Sequence, residues 1–501
     1  MTVPSVPSRR SFLKTTALGA AALLSARSWA QVAGANGDVR VAVVGLNGRG
    51  REHLRQLRGI PGVRLAAICD VDTAVLDRAA ESLAKDGHAP EKFTDVRRLL
   101  EAPGVDAITI ATPNHWHALM GIWACQAGKD VFVEKPVSHN VWEGRQLVAA
   151  AAKYGRVVQA GMQIRSGEGL QEAVAWVRAG HLGKITAARG FCYKRRKTIG
   201  RTTGAQPVPA TVDYDLWLGP APVEPPRRAR FHYDWHWFNA YGNGDIGNQG
   251  VHQMDVARWF LGEPGLPRAT LSIGGRLGYV DDGETPNTQV ILHDYATAPL
   301  VFEVRGLPAK ADPDEGKPGE AGAEAAGALA ATMDEYRGIR VGNIIDCEGG
   351  SVIVPGYFDA TAYDRDGRVV REFKGADRLM RNFIEVVRSR RTADLHGPIE
   401  EGHVSSALCH LGGISHALGR AAPPEKIREQ IKGDAALHEA CGRMLEHLAV
   451  NRVDFGRTPL RLGAPLAVDP AAGQLVGVDA AAANALLTRA YRAPYAVPPL
   501  A

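Results

Sequence analysis

A chain of 501 residues, 45% hydrophobic and 23% charged, is long enough to bury two to four domain cores and has the make-up of an ordinary globular protein. Its formal charge of +5 sits at the start: four of the 59 basic residues (Arg9, Arg10, Lys14, Arg27) and no acidic residue fall in residues 1–30, leaving 55 basic against 54 acidic beyond them. A near-neutral remainder argues against nucleic acid or an anionic membrane as partner.

The chain opens with Ser8-Arg9-Arg10-Ser11-Phe12-Leu13-Lys14, a modest apolar run over 15–26, and Ser28-Trp29-Ala30 before Gln31. This is the layout of a twin-arginine signal peptide over residues 1–30. It predicts a periplasmic or secreted protein, with the twin-arginine export machinery as a partner. The apolar run is short and rich in Ala and Gly, and no cysteine lies near the cut, so no stable membrane anchor is expected. The six cysteines, at 69, 125, 192, 347, 409 and 441, show neither a metal-ligand spacing nor a disulfide framework. They are expected to be buried thiols, and no metal site is expected.

Residues 39–44 form a β-branched run that leads straight into Gly45-Leu46-Asn47-Gly48-Arg49-Gly50, with a helix pattern from about Arg51. Strand, glycine turn and helix make a phosphate-binding loop: the backbone can approach a pyrophosphate, and the helix N-terminus offers free N–H groups. The spacing is G-x-x-G-x-G rather than G-x-G-x-x-G, so the loop alone is a weak signal. A second strand over 63–69 strengthens it by ending at Asp70, where an acid binds the adenosine ribose hydroxyls. A carboxylate there repels a 2′-phosphate and favours NAD over NADP. Asp72 reads as a helix cap or a solvated acid.

Strands over 107–111, 130–133 and 157–161 alternate with helices, which predicts a doubly wound parallel Rossmann sheet over 38–162. Ligands of such sheets bind at the carboxyl ends of the strands. Two proline-containing turns fall there: Thr112-Pro113-Asn114-His115-Trp116-His117 and Glu134-Lys135-Pro136. The expected cofactor contacts are Gly45, Asn47, Gly48, Arg49, Gly50, Asp70, Thr112, Pro113, Asn114, His117, Glu134, Lys135 and Gln163.

A second domain is expected over 163–425, with strand-like runs at 185–193, 269–273, 289–292, 300–304, 340–347 and 351–354. Residues 308–332, rich in Ala, Gly, Glu, Lys and Pro, read as a surface insertion. Residues 426–501 form a C-terminal extension without a chemical motif. Gln163 and Arg165 follow the last Rossmann strand, within reach of cofactor or substrate. Phe231, Tyr233, Trp235, Trp237, Phe238 and Tyr241 then crowd one segment; such rings stack on sugars or fill cores. Of these, Trp235 and Trp237 are taken as substrate contacts. Trp217 reads as structural. Next comes Gly244-Asp245-Ile246-Gly247-Asn248-Gln249-Gly250-Val251-His252-Gln253-Met254-Asp255. If this stretch is an α-helix, 245, 248, 252 and 255 share one face. Asp245 then serves as helix cap or substrate contact, and Asp255 could orient His252 or pair structurally. Residues 401–410 read as a helix that packs first and walls the site second.

Glycine loop, acidic second strand, TPNHWH turn and EKP turn, in this order, resemble the glucose-fructose oxidoreductase/inositol dehydrogenase (Gfo/Idh/MocA) family over about 38–310, and more loosely to 425. The resemblance implies an α+β second domain with a large open antiparallel sheet that carries the substrate face and often the oligomer interface, hence a homo-oligomer. It implies that Lys135 lies beside the nicotinamide and the substrate hydroxyl. The family's D-x-G-x-H is matched at Gly250 and His252, whereas Asn248 stands at the aspartate position and cannot take a proton, though it can still hydrogen-bond a substrate hydroxyl. Acid–base work then falls on His252 with Lys135. The implied reaction is hydride transfer to or from a sugar, sugar derivative or cyclitol. Some relatives instead use bound NAD to oxidise a glycoside transiently and eliminate the aglycone; a non-catalytic sugar- or cofactor-binding protein is a third reading. Twin-arginine export carries folded proteins to a compartment without a dependable NAD pool, so the cofactor is expected to be tightly held.

Overall fold

The computed structural model describes residues 37–312, 331–470 and 472–500. Residues 1–30, read as a twin-arginine signal, and most of the expected 308–332 insertion lie outside these residues. Six strands, β1 (Val39–Val44), β2 (Val63–Cys69), β3 (Glu91–Phe93), β4 (Ala107–Ile110), β5 (Asp130–Val133) and β6 (Val158–Ala160), form a sheet in the order β3-β2-β1-β4-β5-β6. Every neighbouring pair is parallel. The order reverses between β1 and β4, and a crevice for a dinucleotide opens at such a reversal. The central strands are apolar along their length because helices cover both faces. One of those helices comes from far along the chain: Leu379–Ser389 sets Leu379, Phe383 and Ile384 against Val39, Val41 and Val43.

Twelve strands make the second sheet: β7 (Ile185–Tyr193), β8 (Ala269–Gly275), β9 (Thr288–Asp294), β10 (Leu300–Arg305), β11 (Val341–Cys347), β12 (Gly350–Val354), β13 (Ala360–Asp364), β14 (Val369–Phe373), β15 (Arg420–Ala421), β16 (Arg461–Leu462), β17 (Leu466–Asp469) and β18 (Gln474–Val476). The order is β14-β13-β12-β11-β7-β10-β9-β8-β16-β15, with β17 also on β8 and β18 on β17. The sheet is mixed rather than wholly antiparallel, since β10 runs parallel to β7 at its centre. A parallel pair needs a long crossover, and the excursion between β7 and β8 leaves room for one. The helix Val251–Leu261 lies across β7 and β11: Gly190 leaves the space that Gln253 fills, and Asn343 Nδ2 donates to the Gln253 carbonyl at 2.7 Å. All six cysteines are buried and unpaired.

The C-terminal extension joins both units. Ile427, Leu437, Met444 and Leu448 share a core with Ile273, Val290 and Val301. The tail then returns to the first unit, where the Tyr495 ring meets Trp116 edge-on and Trp123 at a tilt.

Candidate functional site

A cavity of about 690 Å³ opens at the carboxyl ends of the parallel strands. The glycine loop, Asp70, Thr112, Pro113, Asn114, His117, Glu134 and Lys135 line it from the first unit; Trp217, His232, Tyr233, Trp235, His236 and Asn248 line it from the second. The loop fits a dinucleotide on two observations. Gly45 has φ +81° and lies so close to β4 that a Cβ would sit 2.7 Å from the Ala111 carbonyl, while a Cβ on Gly50 would sit 1.8 Å from the Gly45 carbonyl. The helix Gly48–Arg58 begins inside the loop, earlier than the expected Arg51, and the Asn47 side chain makes no capping bond there. Gly50 N already bonds back to the Asn47 carbonyl at 2.8 Å, so the N–H groups of Gly48 and Arg49 are the ones this turn offers an anion.

Asp70 ties the loop to β2. Its carboxylate accepts from Leu46 N at 2.9 Å and Asp72 N at 3.0 Å. Burial lifts its pKa above the usual range, against those two bonds. Asp72 caps the next helix by accepting from Ala74 N at 2.9 Å, and it also meets His232 Nε2 at 2.9 Å. Residues 211–213 run beside 71–73, with Thr73 N bonded to Thr211 O and Asp213 N to Val71 O. A stretch of the second unit thus straps the edge of the cofactor cavity beside Asp70. His232 was not singled out from the sequence, because nothing local marks its long-range pairing.

At the end of β5, Glu134 Oε1 receives Arg49 Nε at 2.7 Å, Gln163 Nε2 at 3.2 Å and a contact from buried His53 Nε2 at 3.0 Å. Burial alone would raise its pKa; Arg49, His53 and Lys135 overcome that and hold it well below the ordinary carboxylate range. Arg49 and Gln163 thus orient Glu134, and Gln163 does not itself line the cavity. The Lys135 ammonium donates to the Asn248 carbonyl, joining the two units across the cavity. Burial, with Arg49 adding to it, lowers its pKa to about 8 despite Glu134. His117 sits between the two turns, its Nδ1 2.7 Å from Pro136 O and its Nε2 2.7 Å from Thr112 O. Asn114 Nδ2 donates to Asn243 Oδ1 at 3.0 Å, another bond between the units.

The expected single helical face over 245–255 is replaced by two different turns. Residues Ile246–Gly250 form a wide π-helical turn before the α-helix Val251–Leu261. A wider turn frees carbonyls and rotates the side chains that follow: Ile246 O accepts from the Cys409 thiol and Asn248 O from Lys135. Asp245 does not cap; it pairs with Arg196, with Nη2 to Oδ1 at 2.7 Å. Asp255 does not reach His252. It accepts from Arg165 Nε at 2.9 Å and from the Ser405 hydroxyl at 2.6 Å, while Arg165 Nη2 also meets Glu401 at 2.9 Å. Arg165 and Asp255 are therefore a buried ion pair outside the cavity lining, and the helix Ile399–Leu418 supports the site from behind them.

His252 is 3% exposed and outside the cavity lining. Its Nδ1 has no hydrogen-bond partner among the described residues, and its ring meets Tyr357 edge-on at 5.3 Å. Burial, then the Lys135 charge, lowers its pKa to about 3, so the ring is neutral near pH 7 rather than poised at 6.5. Trp235 lines the cavity and stacks on His236; Trp237 instead packs in the core, under the Arg196 guanidinium at 5.2 Å. Sequence reasoning missed His53, Arg196, His236 and Tyr357. The hydroxyl of Tyr357, from the β12–β13 turn, accepts from Gln249 Nε2 at 2.8 Å. Only His236 had a local signal, its place within the aromatic segment.

Comparison with known proteins gives two matching family profiles: the oxidoreductase family's NAD-binding Rossmann fold over residues 39–162, and its C-terminal alpha/beta domain over 173–274. A glycosyl hydrolase family 109 protein of Shewanella sp. (strain ANA-3) is 40% identical over 120 residues, 23% of this chain and 26% of that protein. An alpha-N-acetylgalactosaminidase of Shewanella oneidensis is 38% identical over the same extent. The chain thus spans about a quarter of the length of these relatives. Among solved structures, the WlbA dehydrogenase of Bordetella pertussis, in complex with NADH and UDP-GlcNAcA, has TM-score 0.52 at 21% identity, covering 75% of this chain and 95% of that one. An oxidoreductase of Thermotoga maritima has TM-score 0.52 at 16% identity, covering 75% and 97%. These two likenesses support the fold. With the 3-2-1-4-5-6 sheet, the glycine loop and Lys135 in place, the chain belongs to the NAD-binding Gfo/Idh/MocA oxidoreductase family.

Proposed function

We propose that this protein is an exported oxidoreductase that moves a hydride to or from a CH–OH carbon of a sugar, sugar derivative or cyclitol, with NAD retained as a resident cofactor. The observation that carries the reading is Lys135: an amine in the cavity wall, held to Asn248 across the units and depressed to about 8 by burial and Arg49. Bound NAD supplies a hydride acceptor or donor at its nicotinamide. Lys135 stabilises the oxyanion that forms as a substrate hydroxyl loses its proton. Glu134, kept ionised by Arg49 and His53, balances the lysine charge. A histidine receives the proton; the family motif assigns that role to His252. Asn248 cannot share it and serves through its carbonyl.

Lys135→Ala is expected to keep bound dinucleotide and to lose about 10²-fold or more in kcat. Dinucleotide is read by absorbance and mass spectrometry on the purified protein, and turnover by NADH formation on a sugar and cyclitol panel. Wild-type turnover in the variant would sink the reading. A second reading is favoured by the relatives named as glycosidases: transient oxidation, elimination of an aglycone and return of the hydride. Release of aglycone from glycosides with no added NAD and no net NADH selects it. Export is tested by fractionating cells that carry the chain with Arg9 and Arg10 changed to Lys. Oligomeric state, proposed as a homo-oligomer, is read by light scattering.

A further inference from the structure

In the aromatic segment that lines the cavity, one histidine is built differently from the motif histidine. His236 sits in the short turn Asp234–Trp237, which buried Asp234 anchors to Arg230 at 2.7 Å. Its ring stacks on Trp235 with centroids 3.7 Å apart and planes 19° apart. Its Nδ1 lies 2.6 Å from the Tyr233 carbonyl. A carbonyl only accepts, so Nδ1 carries the proton and Nε2 presents a lone pair. Its backbone is fixed as well, since a Cβ on Gly242 would stand 2.6 Å from the His236 carbonyl. His236 lines the cavity together with Lys135 and Asn248, whereas His252 does not.

The groups around it favour the neutral ring. Burial, then Arg196 and Lys135, lower its pKa to about 3, against the Tyr233 bond and Asp245. The ring is therefore neutral near pH 7, with Nε2 free to accept.

We propose that His236 Nε2, and not His252, exchanges the proton of the reacting hydroxyl. The proposal rests on the oxidoreductase reading above. In the oxidative direction the substrate O–H bond breaks and its proton passes to Nε2. The C–H electron pair leaves as hydride to the oxidised nicotinamide, and a carbonyl forms. The products are a ketone, an imidazolium and NADH, and the reverse reaction returns both. His236 thereby adds a proton acceptor to a cavity whose wall carries Asn248 at the family's aspartate position.

The test uses the full chain with its dinucleotide bound, and the variants His236→Gln and His252→Gln. Carbethoxylation by diethyl pyrocarbonate, mapped by mass spectrometry, is expected to modify His236 at least tenfold faster than His252. Histidine 15N shifts are expected to show His236 protonated at Nδ1. In turnover, His236→Gln should retain dinucleotide and lose about 10²- to 10⁴-fold in kcat. His252→Gln should lose less. An unreactive His236, or His236→Gln within threefold of wild type while His252→Gln is inactive, overturns the proposal. A wild type that turns over no carbohydrate probe counts against the oxidoreductase reading, and the carbethoxylation map then decides His236 alone.

Discussion

Asp255 shows how much a single pairing decides. It is held below the ordinary aspartate range: burial alone would raise it, but Arg165, Arg258 and the Ser405 hydroxyl lower it. A depressed folded pKa contributes stability that is complete above the unfolded value of about 3.9 and disappears as pH falls through the folded value. Asp255→Asn leaves Arg165 short of its closest partner in a buried setting, so it should cost about 3 to 5 kcal/mol at pH 7. The difference from wild type should shrink in thermal melts below about pH 4. The same residue marks a limit of sequence reading. Asp70 and Lys135 were legible because a strand end fixes where a side chain goes, whatever the rest of the fold does. The partner of Asp255 depended on the pitch of the turn before it and on Arg165, ninety positions away, neither of which local spacing reveals.

Elements whose burial is uniform were the ones the sequence disclosed. β1, β4 and β5 are apolar runs closed by glycine or proline turns, β2 is one closed by Asp70, and their limits match to within a residue. The two-residue strands and the edge strand β14, whose Val369 and Val370 are exposed, carry no such pattern, because one face meets water. The π turn is a subtler case. Glycine and asparagine at its centre suit many conformations, so an α-helix was the natural expectation. Its width is set instead by what it touches: Cys409 and Lys135 take its carbonyls, and Gly250 leaves room for Phe302, whose Cζ lies 2.4 Å from where a Cβ would be. Gly250→Ala is therefore expected to displace the Phe302 ring and to cost about 1 to 3 kcal/mol. Chemical denaturation should show this as a lower midpoint with an unchanged slope.

Across the whole molecule, residues with no chemical motif do structural work that composition could not announce. Residues 427–448 close one side of the second sheet, and Leu448→Ala is expected to cost about 2 to 5 kcal/mol, measured by calorimetry. Exposed apolar side chains remain at both ends of the sheet, Val369 and Val370 on β14 and Val476 on β18. The strap beside Asp70 has a consequence of another kind, in time rather than in space. Residues 211–213 are bonded to 71–73 beside Asp70, and His232, which lines the cavity, is paired with Asp72. We expect departure of the dinucleotide to depend on how often that stretch opens as well as on affinity. His232→Ala removes one latch and should speed exchange of bound for labelled NAD by roughly two- to tenfold, in step with faster amide exchange over 211–213.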